Sequence, residues 1–220
     1  MPPVDVFPLF TPAAIVAAAG LICLALEAFL GRDGKHGVLP WIAGLGLVAA
    51  GIAQVGVGAG HFHGLYALDN ARMWLCLGVL AAAAVSIGGL QQTLSRDKFA
   101  GGEPYVLVCM ATVGALLMTM AVDSLALFIG IELAALPVYA LVGLRRHRLE
   151  SNEGLFKYFI QGAIFSGVLL YGAALLYGAT GTTHFGAPVI DGRGNLALLG
   201  SALLTIGLLF KVGAFPFHFW

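Results

Sequence analysis

Charge is what this sequence has least of. Only 10% of its 220 residues are Asp, Glu, Lys or Arg, against roughly 25% in an average soluble domain. That scarcity excludes water as the main solvent. Eleven basic and eleven acidic side chains cancel to a formal net charge of zero, and no basic run could follow a phosphate backbone, which excludes nucleic acid as a partner. Cysteine is scarce too: Cys23, Cys76 and Cys109 each lie in an apolar run, with no CxxC and no histidine at ligand spacing. They are read as small core residues, which excludes a metal or redox centre built on them. No Lys or Arg precedes the first apolar run, MPPVDVFPLFTP, so the basic start of a secretory signal is missing and the first span is read as retained. No GxGxxG fingerprint, low-complexity linker or visible sequence repeat is present.

What the sequence has in place of charge is long apolar runs. Seven stretches of about 18 residues or more, the length that crosses a hydrocarbon core, fall at 13–30, 38–60, 71–90, 104–122, 124–144, 154–180 and 196–220. A backbone in lipid must satisfy its own hydrogen bonds, and the alternation of an outer-membrane barrel is absent, so all seven are expected to be helices. The fold class is all-α, a polytopic transmembrane bundle. The link between spans four and five is so short, at Asp123 and Ser124, that these helices should form a tight antiparallel hairpin. Arg32, Lys35, Arg96, Lys98, Arg145, Arg146 and Arg148 lie in loops one, three and five, against Arg72 and Arg193 on the other side. That bias puts those loops in the cytoplasm and the N-terminus outside. Thirty-one glycines suit helices that associate by close backbone packing, and Gly56 with Gly60 reads as such a contact in span two. The chain stops at PFHFW with no polar flank, which is the expectation for the N-terminal part of a longer polypeptide.

Ionisable side chains deep in apolar spans are costly and need a reason. Glu132 lies about 12 Å into span five at about 1.5 Å per residue, with Ser124 and Tyr139 on roughly the same face. Lys211 lies deep in span seven. Each is followed five positions later by a proline, Pro137 or Pro216, which frees the carbonyl of Leu133 or Val212 and marks a place where a helix can bend. A static buried Glu132–Lys211 pair would be a weak source of stability, whereas proton loading fits it: desolvation and a neighbouring carboxylate pull a lysine pKa in opposite directions. Lys157 near the start of span six, with Gln161 one turn on, is balanced between a functional role and snorkelling with a Glu153 partner. Glu27 is read as structural. His61 and His63 lack a third ligand and are not read as a metal site. His218, past Pro216, is placed to relay protons.

Three segments carry a family resemblance: LALFIGIELAALPVYALVGLRR, SNEGLFKYFIQGAIFSGVLLYGAALLYGATGTT and GLLFKVGAFPFHFW. They resemble subunit N of the bacterial proton-pumping NADH:quinone oxidoreductase, respiratory complex I. The resemblance implies an antiporter-like membrane-arm subunit of about fourteen helices with inverted five-helix repeats. This chain would hold three N-terminal helices, residues 1–103, and an incomplete first repeat, residues 104–220, cut within a broken seventh helix. The family's proton-transfer residues match Glu132, Lys211, Lys157 and His218, with Pro216 at the break. The eighth-helix lysine and the second repeat are not in this sequence. The resemblance further implies the bacterial inner membrane, the other membrane-arm subunits as partners, and no cofactor on this chain. NADH, FMN, iron–sulfur clusters and quinone would belong to the rest of the complex. A cation/proton antiporter or membrane hydrogenase subunit shares the Glu and Lys, and a purely structural scaffold is the alternative of another class.

Overall fold

A computed structural model describes residues 6–30, 36–96, 101–145 and 147–218. Seven helices follow one another: α1 (Val6–Leu30), α2 (Leu39–Gly56), α3 (Asn70–Arg96), α4 (Glu103–Met120), α5 (Ser124–Val142), α6 (Leu149–Thr180) and α7 (Gly194–Val212). Each is long and apolar enough to cross a membrane. Arg32, Lys35, Lys98 and Arg146, four of the residues behind the charge bias, lie outside the described residues.

The helices are apolar on every side, which marks them as surrounded by lipid and by one another. Ile52, Val85 and Leu198 point outward while Leu39, Leu47 and Leu116 are buried. Pro40 and Pro104 sit in the first turns of α2 and α4, where the missing N–H would have no helical partner anyway. Asp123 caps α5, accepting hydrogen bonds from the N–H groups of Leu125 and Ala126 at 2.9 and 3.2 Å. This cap makes the short α4–α5 turn expected from the sequence.

Packing divides the chain. Helix α1 lies against α2 and α4, and α3 packs on α2 and α4; beyond them α4 pairs with α5 and α6 with α7, while the α5–α6 contact is less extensive. Glycine lets two of these pairs touch backbone to backbone. A Cβ on Gly114 would sit 2.2 Å from the Ala134 nitrogen in α5, and one on Gly172 would sit 2.4 Å from the Leu204 nitrogen in α7. No side chain fits at either place.

The structure departs from expectation at two spans. Span two ends at Gly56, and the chain then forms a hairpin of β1 (Gly60–Phe62) and β2 (Tyr66–Leu68), with Gly60 opposite Leu68. Gly56 and Gly60 therefore do not share a helix, and a Cβ at Gly56 would meet nothing within 4 Å, so the expected packing motif is corrected. The hairpin turn uses left-handed backbone at His63 and Gly64, and the Val122 N–H bonds to the Leu65 carbonyl at 3.0 Å, tying it to the α4–α5 turn. Span seven, expected to run from 196 to 220, is helical only to Val212. Gly213 takes a left-handed conformation with φ 69° and closes the helix by bonding back to Leu209 and Phe210, an end that glycine reaches without steric cost.

Candidate functional site

Three helices converge on one carboxylate. Glu132, midway along α5, accepts a hydrogen bond from Lys211 Nζ of α7 at 3.0 Å and another from the Ser166 hydroxyl of α6. Lys211 also donates to the Tyr139 hydroxyl at 3.4 Å. The side chains of Lys211 and Glu132 are 16% and 25% exposed, so the pair is largely withdrawn from its surroundings, and the charge-assisted bonds offset part of the desolvation.

Each group has a local reason to be there. Lys211 lies in the last turn of α7, where the unpaired carbonyls of a helix C-terminus favour a cation. Tyr139 follows Glu132 by two turns and is buried; its hydroxyl lies 2.0 Å from where a Cβ on Gly162 would be, so that glycine makes its room. Its ring stands edge-on to Tyr158 at 4.7 Å. Phe165 and Phe210 stack at 4.1 Å beside the pair. Since Phe210 meets α6 at Phe165, α7 stops halfway along its neighbour, and residues 149–164 of α6 run on for about 24 Å without it.

The other expected residues lie apart from this centre. Lys157 forms an ion pair with Glu153 one turn earlier on α6, with side chains 63% and 57% exposed, which is the alternative weighed for it above. Gln161, one turn beyond Lys157, buries its Oε1 with no partner among the described residues. His218 is exposed and stacks on Phe215 at 5.6 Å. Of the two proline breaks, Pro137 is corrected, since it lies inside a helix that continues through it. Pro216 falls in the non-helical stretch, residues 213–218, that follows the helix end made by Gly213. Glu27 accepts a hydrogen bond from the Gly102 N–H at 2.9 Å, linking α1 to the start of α4.

Sequence reasoning missed Ser166, because a hydroxyl in a long apolar helix usually bonds its own backbone. Thr112, Thr119 and Thr180 do so here. It also missed the role of Asp123, which is fully buried and accepts from the Thr183 hydroxyl besides capping α5. Ser124 completes this link with its N–H and hydroxyl on the Thr183 carbonyl, at 2.9 and 3.0 Å. Ser124 thus serves the end of α5 and takes no part in the Glu132 centre.

Seven membrane-length apolar helices among the described residues, with an ion pair inside the bundle, define a polytopic membrane protein. Residues 121–220 match the family described as NADH:quinone oxidoreductase/Mrp antiporter, transmembrane. The chain is a relative of NADH-quinone oxidoreductase subunit N, as the three quoted segments implied. It is 36% identical to that subunit of Trichlorobacter lovleyi over 95% of this chain and 45% of the relative. It is 48% identical to subunit N 1 of Chloroherpeton thalassium over 63% of this chain and 31% of the relative. A chain of respiratory complex I from Thermus thermophilus superposes with a TM-score of 0.80 at 32% identity, covering 95% of this chain and 45% of that one. A chain of the archaeal membrane-bound sulfane sulfur reductase shares the fold, with a TM-score of 0.67 at 21% identity over 93% of this chain and 45% of that one. The chain spans about half the length of the curated relatives it matches.

Proposed function

We propose that this chain takes part in proton translocation coupled to quinone reduction, as part of a membrane-arm subunit of a respiratory NADH:quinone oxidoreductase. The observation that carries this reading is the 3.0 Å contact between Lys211 Nζ and Glu132 Oε1 across two different apolar helices. In the proposed cycle Glu132 holds Lys211 protonated; a conformational or electrostatic signal draws them apart, and Lys211 releases its proton. Ser166 and Tyr139 position the two groups. Lys157 and His218 are proposed as further proton-transfer groups. NADH, FMN, iron–sulfur clusters and quinone are assigned to partner subunits, since no fingerprint for them lies on this chain. The orientation proposed is an outside N-terminus, with the basic loops in the cytoplasm of a bacterium.

The test uses the full-length subunit in its assembled complex, carrying Glu132→Gln or Lys211→Met. The expected outcome is normal assembly with proton pumping reduced about tenfold or more, the scale of losing a proton-transfer group. Assembly failure in both variants would favour a scaffold role, and normal pumping in both would overturn the reading.

A further inference from the structure

The ends of α3 and α5 do not close on each other. Helix α3 leans on α2 and α4, and α5 on α4 and α6, which leaves a cavity of about 840 Å³ between the end of α3, the end of α5 and the beginning of α6. Its floor is apolar, formed by Leu90 and Leu94 of α3 with Leu141 and Leu144 of the α5 end. Its rim is cationic: Arg145 and Arg148 line it, with His147, and Glu150 is the one carboxylate among the described lining residues. Arg145, His147 and Arg148 are exposed.

Three features combine here. The cavity has the volume of a small-molecule site. It lies at the ends of three helices long and apolar enough to cross a membrane, and the ends of such helices are where acyl chains give way to headgroups. The first turn of α6 opens onto the same rim, and its N-cap residue Arg148 makes no side-chain capping bond, so the helix's positive end adds to the arginines.

We propose that this cavity binds an anionic phospholipid, with an acyl chain on the leucine floor and the headgroup phosphate held by Arg145 and Arg148. The lipid acts as a wedge between the three N-terminal helices and the helices that carry the Glu132 centre. The proposal uses the membrane setting of the chain and stands whether or not Glu132 and Lys211 move protons.

The experiment takes the full-length subunit in its assembled complex, reconstituted in phosphatidylcholine vesicles doped with photoactivatable phosphatidylglycerol. Cross-linked peptides are then mapped. Labelling is expected on the peptides around Leu90–Leu94 and Leu141–Ser151. It should fall about tenfold or more in the Arg145→Gln/Arg148→Gln double variant, the scale expected of two interfacial arginines. Thr93→Trp places a bulky ring on the cavity wall from an exposed position and should reduce labelling with the arginines intact. Unlabelled phosphatidylglycerol should compete, and extra phosphatidylcholine or inorganic phosphate should not. Labelling elsewhere, equal competition by phosphatidylcholine, displacement by inorganic phosphate, or a neighbouring polypeptide cross-linked at these peptides would each overturn the proposal.

Discussion

Helices α1–α4 and helices α5–α7 solve the same packing problem in different ways. The first group encloses an apolar cluster that includes Val16, Leu47, Leu80 and Leu116, with Cys23, Cys76 and Cys109 buried in it as small residues. The second group puts a carboxylate, an ammonium and two hydroxyls at its meeting point. Both groups lie in the same solvent and reach the same fold without difficulty. The charges in the second group are therefore not a requirement of helix packing, and their presence there is the strongest structural pointer to function.

Leu47→Ala probes the apolar side of this contrast and should have the largest effect on stability. Leu47 is fully buried, so the cavity left behind should cost about 2–4 kcal/mol, read as a lower thermal midpoint of the purified complex. Proton pumping per assembled complex should be unchanged; a fall would show that the two halves are not functionally distinct. Ser166→Ala probes the polar side. Removing a donor to a carboxylate should cost about 1–2 kcal/mol, and here pumping should fall together with stability. A variant that lost stability and kept full pumping would reduce Ser166 to a packing residue.

The smallest effect lies where the two groups are tied together. Burial, and then the Asp123 carboxylate, push the Tyr66 phenol above its ordinary value of 10.0. The folded protein thus favours the neutral phenol. The stabilisation is full below the unfolded value and is lost as pH rises through the higher folded one. Wild type and Tyr66→Phe should therefore differ in thermal midpoint by a constant amount up to about pH 10, and the difference should shift in favour of the phenylalanine variant only above it.

The spans, the α4–α5 hairpin and the meeting of Glu132 with Lys211 were legible because each rests on a strong energetic rule. Long apolar runs must be helical in lipid, and two opposite charges inside them seek each other. What escaped rests on weaker or longer-range signals. The end of α7 is set by Gly213, one glycine among 31, three residues before the proline that marks the break, and Pro137 marks no break at all. The β1–β2 hairpin is three residues a side, too short for alternation to show. Thr183 lies 60 residues from Asp123, a distance over which no local pattern predicts a partner. The Glu153 partner of Lys157 was legible from its spacing of four residues, whereas the contacts of Ser166 with Glu132 and of Tyr139 with Lys211 needed the fold.

The glycine contacts also have a mechanical consequence. Locked backbone to backbone, α4 with α5 and α6 with α7 behave as two stiff levers, joined by the short 143–148 connection and by the slighter α5–α6 contact. Glu132 rides on the first lever, and Lys211 and Ser166 ride on the second. Sliding one lever past the other would stretch the carboxylate–ammonium contact without unpacking either pair, so displacement would concentrate at the α5–α6 joint, where Gly162 meets the tip of a tyrosine and not a neighbouring backbone.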